Sequence, residues 1–531
     1  MQTVSSQFSA AVQAPIITPQ PGVLISWLKN YDEDATFFKL DHSYLDGPDF
    51  LKGNGGTPTF FDKYDYMDET QYVKNYRVTR KVSARPWGVI MATAEITLDN
   101  TSRRFLPGYD PTIGDYIKRD RPVKISMGFK GEFVSLFTGY SERPENSYVA
   151  RTTMLKCYDA MAYLSTKKSD LDVMVNATAK DAIEDLLLEQ GFSSDQFNIE
   201  ESLQQPIGYL PCRDRIVTDI FEELCEAEGA LMFVDERGII QFWNRLHFAK
   251  NQSSVWDFTY SNIEDIGWDS TNVVNDVLVT SRPLKPAAFN KMYELGEGSD
   301  ATLIPPNSSK DIFIDFKDDA GNFPAISVDT PVYINLNDGG SVWACNYNKD
   351  GSGETGATDM ALSSVYNFGN QYRMTFTNTG DLPIYITQIQ LFGQPAKVTQ
   401  LDTQPQIDQA SIDEYGLNPD DSGKEIEIKN DLIQDVAAAN SLGYMLVRQF
   451  ADPMARMELP NFPAPHLQIG DAATVYIQDT AEEVHSFVLG LEIFLGVNGN
   501  ISQKTFVEAR PLVSYFQLDI SHLDGPDKLA L

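Results

Sequence analysis

Val89-Ile90-Met91-Ala92-Thr93-Ala94-Glu95-Ile96-Thr97-Leu98, closed by the turn residues Asp99-Asn100, carries the alternation of a half-buried strand. The same pattern returns in Val123-Lys124-Ile125-Ser126-Met127-Gly128-Phe129 and in Phe133-Val134-Ser135-Leu136-Phe137-Thr138-Gly139-Tyr140. Closely spaced strands broken by Gly and Asn turns predict a β-barrel or sandwich over residues 71–157. Residues 1–70 differ. They are rich in Pro, Gly, Asp and aromatics with little periodicity, which predicts an extended N-terminal arm that packs on a neighbour.

Downstream the period changes. Thr178-Ala179-Lys180-Asp181 has the form of a capping box opening a helix that ends at Gly191, with Ile183, Leu186 and Leu187 on one face. A second helix over 214–229 has Ile216, Val217, Ile220, Phe221, Leu224 and Cys225 as its apolar stripe, with Glu222, Glu223, Glu226 and Glu228 expected to face away. Leu231-Met232-Phe233-Val234, the turn Asp235-Glu236-Arg237-Gly238 and Ile239-Ile240-Gln241-Phe242-Trp243 read as a β-hairpin. Residues 158–257 therefore read as an α+β domain. Strands at 312–316, 331–334, 372–378 and 384–391, separated by Gly, Asn and Asp loops, predict an inserted β-sandwich over 286–395. A third helix near 432–450, with Ile433, Val436, Ala437, Met445 and Leu446 as apolar positions, and strands at 472–477 and 486–493 predict a second barrel, split into 258–285 and 396–515.

The chain of 531 residues is too long for one core and reads as several packed units. Its formal net charge of −33, from 42 Lys and Arg against 75 Asp and Glu, disfavours specific nucleic-acid binding, because phosphate contacts need cations to displace counterions. Acidity of this kind serves solubility, and on a surface lining a passage it would keep DNA from sticking. No apolar run is long enough for a membrane span, and Met1-Gln2-Thr3-Val4-Ser5-Ser6-Gln7 lacks the basic and apolar parts of a signal peptide. Cys157, Cys212, Cys225 and Cys345 have no C-x-x-C spacing and are expected to be reduced structural thiols.

No catalytic, cofactor or metal residues emerge. The five histidines lack zinc-site spacing, and neither a G-x-S-x-G elbow nor a Walker loop occurs. Asn346, Asn348, Asp350 and Gly351 resemble the opening of a calcium loop, but Ala357 stands where a bidentate Glu is required, so a Gly-rich turn is expected. The most specific internal feature is a near repeat. Ser43-Tyr44-Leu45-Asp46-Gly47-Pro48-Asp49-Phe50-Leu51 returns as Ser521-His522-Leu523-Asp524-Gly525-Pro526-Asp527-Lys528-Leu529. Asp-Gly-Pro-Asp is turn chemistry, and the matching flanks point to two copies of one docking element, with Leu45, Leu51, Leu523 and Leu529 as apolar contacts and 516–531 as a C-terminal docking tail.

Ile25-Ser26-Trp27, Ala94 to Asn100 with Phe105 and Pro107, Arg121-Pro122-Val123, Leu136-Phe137-Thr138-Gly139, Asp159-Ala160, Ala179 to Ile183, Val274-Asn275-Asp276-Val277 and Leu467-Gln468-Ile469-Gly470-Asp471 occur in order along the chain. Together they resemble the tail hub or minor tail proteins of long-tailed bacteriophages, relatives of contractile-tail baseplate hubs. The resemblance implies a mainly β chain with two tail-tube-like β-barrels, an α+β domain between them and an inserted β-sandwich. It further implies a virion protein assembled in the host cytoplasm: a homotrimer without enzymatic activity that closes the tail tube, passes DNA, and contacts the distal tail protein ring, the tape-measure end and tip or fibre proteins. The insertion departs from the minimal hub and offers loops for a host surface glycan or another tip protein. Two other classes compete: a carbohydrate-binding adhesin, and a tail-associated cell-wall hydrolase, which would need a catalytic constellation.

Overall fold

In the computed structural model the described residues are 1–13, 19–27, 66–82, 87–171, 173–204, 206–250, 253–270, 273–295, 301–316, 325–328, 331–333, 341–367, 371–401, 403–416, 424–451, 455–477, 482–497 and 499–509. Strand holds 46% of the described residues and helix 16%, so the class is mainly β with some helices.

The opening stretch serves two sheets. Thr93–Asp99 lies between strands Val73–Lys81 and Thr152–Tyr158, with Ala94, Ile96 and Leu98 buried. Each fully buried Ile or Leu contributes about 1.5–3 kcal/mol. Gly88–Val89 instead pairs in parallel with Leu231–Met232, so a strand expected to be continuous breaks at 90–92. The break is chemically explicit: the Ile90 N–H goes to the Met232 carbonyl at 2.8 Å and the Ala92 N–H to Asp159 Oδ2 at 2.6 Å.

Two separate barrels are not observed; the two β regions run into one 14-stranded sheet, and no closed barrel forms among the described residues. The join is the 14-residue strand Glu482–Leu495, whose Gly490 pairs with Lys81 on one edge and Phe506 on the other. Its N-terminal half pairs with Ala472–Ile477 and its C-terminal half with Val73–Lys81, and a register shift between Val488 and Gly490 bends it between the two. Closure fails because Val73–Lys81 gives its second edge to this strand.

The extended arm expected over 1–70 is also corrected where it is described. Helix Ser6–Val12 buries Phe8 and Val12, and Gln20–Ile25 pairs with Arg121–Phe129. Trp27 is fully buried in the same core.

The α+β core is built as its caps dictate. Thr178 and Asp181 form the reciprocal capping box of helix Ala179–Glu189, and Gly229, in the left-handed region at φ 63°, ends helix Val217–Glu228. The expected hairpin forms as Leu231–Val234/Ile240–Trp243, with Val234 opposite Ile240 and Ile239 taken into the turn. Glu228, expected outside, is 1% exposed; its two oxygens accept the N–H groups of Leu203 and Gln204, which satisfies the carboxylate where it is buried. Strand Asp276–Ser281, its parallel partner Glu425–Asn430 and helix Val436–Phe450 pack into this same core. That helix buries Ala439, Leu442, Gly443, Leu446, Val447 and Phe450; the expected Ala437 is exposed, because the apolar stripe of the helix starts at Ala439.

Between 284 and 398, two sheets share one core. Among the described residues Ile384–Val398 is the central strand of a seven-stranded sheet, and Ser308–Asp315, Gln371–Asn378 and Met360–Asn367 form a three-stranded sheet. Ile304, Trp343, Met374, Phe376, Ile386 and Ile389 are buried between them. The pair Leu284–Pro286 with Ala396–Val398 connects this unit to the rest.

Candidate functional site: the junction of the β units

The site with the most specific chemistry lies where the hairpin turn 235–238 meets both halves of the large sheet. Period two along Val73–Lys81 puts Tyr76, Val78 and Arg80 on the inward face, and all three are buried. Arg80 therefore needs a buried anion, and Glu236 supplies it, with Nη1 3.1 Å from Oε2 and the two side chains 3% and 1% exposed. Gln468 donates to the other Glu236 oxygen, and Thr138 Oγ1 donates to the Glu236 carbonyl at 2.9 Å. Arg80 and Thr138 come from the first β region, and Gln468 from the second. Around them Val82, Ile90, Leu231, Phe233, Phe248, Ile469, Phe487 and Leu489 form a separate apolar cluster.

The loop 467–471 completes the junction. Gly470 sits at φ +87°, and a Cβ there would lie 2.4 Å from the Trp243 ring, so the loop fits against the hairpin only as glycine. Trp243 is itself held, stacked on His247 at 3.8 Å and edge-on to Phe233 at 4.6 Å. His466, just before the loop, is 1% exposed and meets the edges of Phe8 and Trp256. Burial, with the N-terminal ammonium adding to it, pushes its imidazole down to about 4. The N-terminal segment ties the halves again: the Gln2 N–H donates to the His466 carbonyl at 2.9 Å, and its side-chain amide pairs with the Ser135 backbone.

Two further buried carboxylates act as structural pins. Glu69, fully buried, accepts from Trp27 Nε1 at 2.9 Å and takes Arg104 in bidentate fashion at 3.1 and 2.8 Å. Asp159 caps helix Ala160–Leu164 through the Ala162 N–H while holding Ala92. Burial pushes its carboxyl up to about 7, against the pull of the Ala92, Ala162 and Met161 N–H groups.

No family model and no curated protein matches the chain. Among solved structures, the 43 kDa tail protein of prophage MuSo2 from Shewanella oneidensis aligns over 83% of this chain and 95% of its own, at 11% identity and a TM-score of 0.43. A tail protein from Neisseria meningitidis MC58 aligns over 84% and 93%, at 9% and 0.41. Prophage tail protein gp18 from Listeria monocytogenes EGD-e aligns over 84% and 92%, at 8% and 0.41. The chain is similar to prophage tail proteins. The likeness concerns the path of the backbone and carries no side-chain roles.

The residues that carry the hub resemblance in the sequence make several separate contacts in the structure. Trp27 lies 5.9 Å from Phe105, Thr138 and Gln468 grip one hairpin turn, and Asn275 accepts the Lys424 N–H at 2.8 Å. Gly139 lets strand Glu132–Ser141 cross closely, since a Cβ there would lie 2.3 Å from the Tyr158 carbonyl. Both copies of the repeated motif, Leu45-Asp46-Gly47-Pro48-Asp49 with Leu51 and Leu523-Asp524-Gly525-Pro526-Asp527 with Leu529, lie outside the described residues. In the calcium-like loop the oxygens serve the turn: Asn346 Oδ1 accepts from the Asn348 N–H and Asp350 Oδ1 from the Ser352 N–H, both at 3.0 Å. All four cysteines are free and buried, and burial pushes the Cys212 thiol up to about 12. Among the described residues no group of His, Cys, Asp or Glu is placed to hold a metal, and no helix is long and apolar enough to cross a membrane. Arg80 and Glu236 were not singled out from the sequence, although the inward register of Arg80 was a readable signal.

Proposed function

We propose that this chain is a structural subunit of a phage tail tip, a hub that closes the tail tube. The observation that carries the reading is the grip of Thr138 and Gln468, each within a hub-like motif, on one buried hairpin turn. That grip sets two β regions and the α+β core in one fixed arrangement, as a subunit that transmits load requires. On this reading three copies assemble into a ring, the acidic surface lines the passage so that DNA is not retained, and the units are those delimited by 71–157, 158–257, 286–395 and the split 258–285 with 396–515, with Asp276–Ser281, Glu425–Asn430 and Val436–Phe450 given to the α+β unit. The chain works without cofactor or catalysis, in the virion, against the distal tail ring, the tape-measure end and fibre proteins. The two Asp-Gly-Pro-Asp motifs serve as docking elements to neighbouring subunits.

Electron microscopy and mass measurement of purified tails test this. A ring of three copies at the tube end is expected, and deleting residues 516–531 should lower its yield while the remaining chain still melts cooperatively. A monomer in tails refutes the hub reading, and tails assembled normally by the truncated chain refute the docking role of 516–531.

A further inference from the structure

The three-stranded sheet of the inserted unit has a buried face and an outer face of distinct chemistry. On the central strand Gln371–Asn378, Tyr372, Met374 and Phe376 point into the core while Arg373, Thr375 and Thr377 are half-exposed. Register places Arg373 opposite Phe313 on one side and Tyr366 on the other. Phe313 and Tyr366 are 48% and 46% exposed, and the Arg373 guanidinium lies 4.4 Å from the Tyr366 ring centre. Neighbouring strands are about 4.8 Å apart, so the two rings are separated by roughly 10 Å across the row. The next row is polar. Asp311 Oδ1 accepts from Thr375 Oγ1 at 2.7 Å, and Ser364 Oγ donates to Thr375 Oγ1 at 2.8 Å.

We propose that this outer face binds a neutral oligosaccharide, with pyranose rings stacked on Phe313 and Tyr366 and their hydroxyls taken by Asp311, Arg373 and the Thr375–Ser364 pair. The chemistry of the two rows selects that occupant. An aromatic ring offers an apolar surface to the C–H face of a sugar, and a carboxylate with a guanidinium receives hydroxyls as acceptor and donor. The guanidinium over Tyr366 braces that ring before any ligand arrives, which lowers the ordering cost. Asp311 and Arg373 cancel in charge, and a chain of net charge −33 repels an acidic glycan. A second protein would require a drier centre than a face half made of hydroxyls and charges. The inference deepens the tail-tip reading, from which it takes its biological purpose: recognition of a cell surface by the part of the subunit that departs from the minimal hub.

The full chain is applied to an array of neutral and acidic oligosaccharides, and the retained sugar is then titrated calorimetrically. Retention of a neutral oligosaccharide is expected, weakened at least tenfold by Phe313→Ala or Tyr366→Ala and unchanged by Tyr148→Ala, which removes an exposed ring elsewhere. Asp311→Asn, which preserves shape, should weaken binding without altering the melting curve and covers the case in which an alanine variant misfolds. The proposal is overturned if only acidic sugars or none are retained, or if Phe313, Tyr366 and Asp311 variants bind as the parent does. It is equally overturned if sedimentation shows self-association that Phe313→Ala abolishes. Tail incorporation is scored separately, so a negative array leaves the hub reading standing.

Discussion

Replacing Glu236 by Leu should be among the most damaging single changes to the junction. It leaves the Arg80 guanidinium, 3% exposed, without its anion and removes the acceptor of Gln468. An uncompensated buried charge of this kind costs about 3–5 kcal/mol. Arg80→Met should cost a comparable amount by stranding Glu236. The double replacement removes both charges and keeps the volume apolar beside Phe233, Val82 and Leu489, so it should cost far less than the sum, with a coupling of about 2–4 kcal/mol. The assay is urea unfolding of the four proteins, followed by tryptophan fluorescence, since Trp243 adjoins the turn. With a slope of about 2–3 kcal/mol per molar, the single variants should lose roughly 1–2 M in midpoint and the double variant should recover most of it. A double variant as unstable as the two singles combined refutes the account: the pair would then be incidental, and the turn would be held by packing alone.

Gly470→Ala forces a side chain into the left-handed region and against a Trp243 ring confined between Phe233 and His247, so it should destabilise by about 2–4 kcal/mol in thermal melting. A change under roughly 0.5 kcal/mol would show that the loop yields. His466 makes the junction acid-sensitive. Its folded value near 4 lies below the ordinary 6.5, so above pH 6.5 both states are neutral and nothing is lost. As pH falls from 6.5 to 4 the unfolded chain takes the proton first, and stability drops by about 3 kcal/mol before levelling. His466→Phe should flatten that part of the pH profile relative to the parent; parallel profiles would contradict it.

Elements whose information lies within a dozen residues were legible in the sequence. The Thr178–Asp181 capping box, the Gly229 stop and the 231–243 hairpin follow from caps, period and turn residues, which act through neighbours along the chain. What tertiary structure decided were the pairings across hundreds of residues. Val73–Lys81 joins Glu482–Leu495 in place of closing its own barrel, and Asp276–Ser281 runs parallel to Glu425–Asn430 on the α+β core. A strand's alternation states which face is buried but not which edge finds which partner, because backbone hydrogen bonding is the same for every sequence. The buried charges mark the same boundary: Arg80 on an inward register announces the need for an anion, and only the fold brings Glu236 to it, since a charge is tolerated inside solely where its partner is already placed.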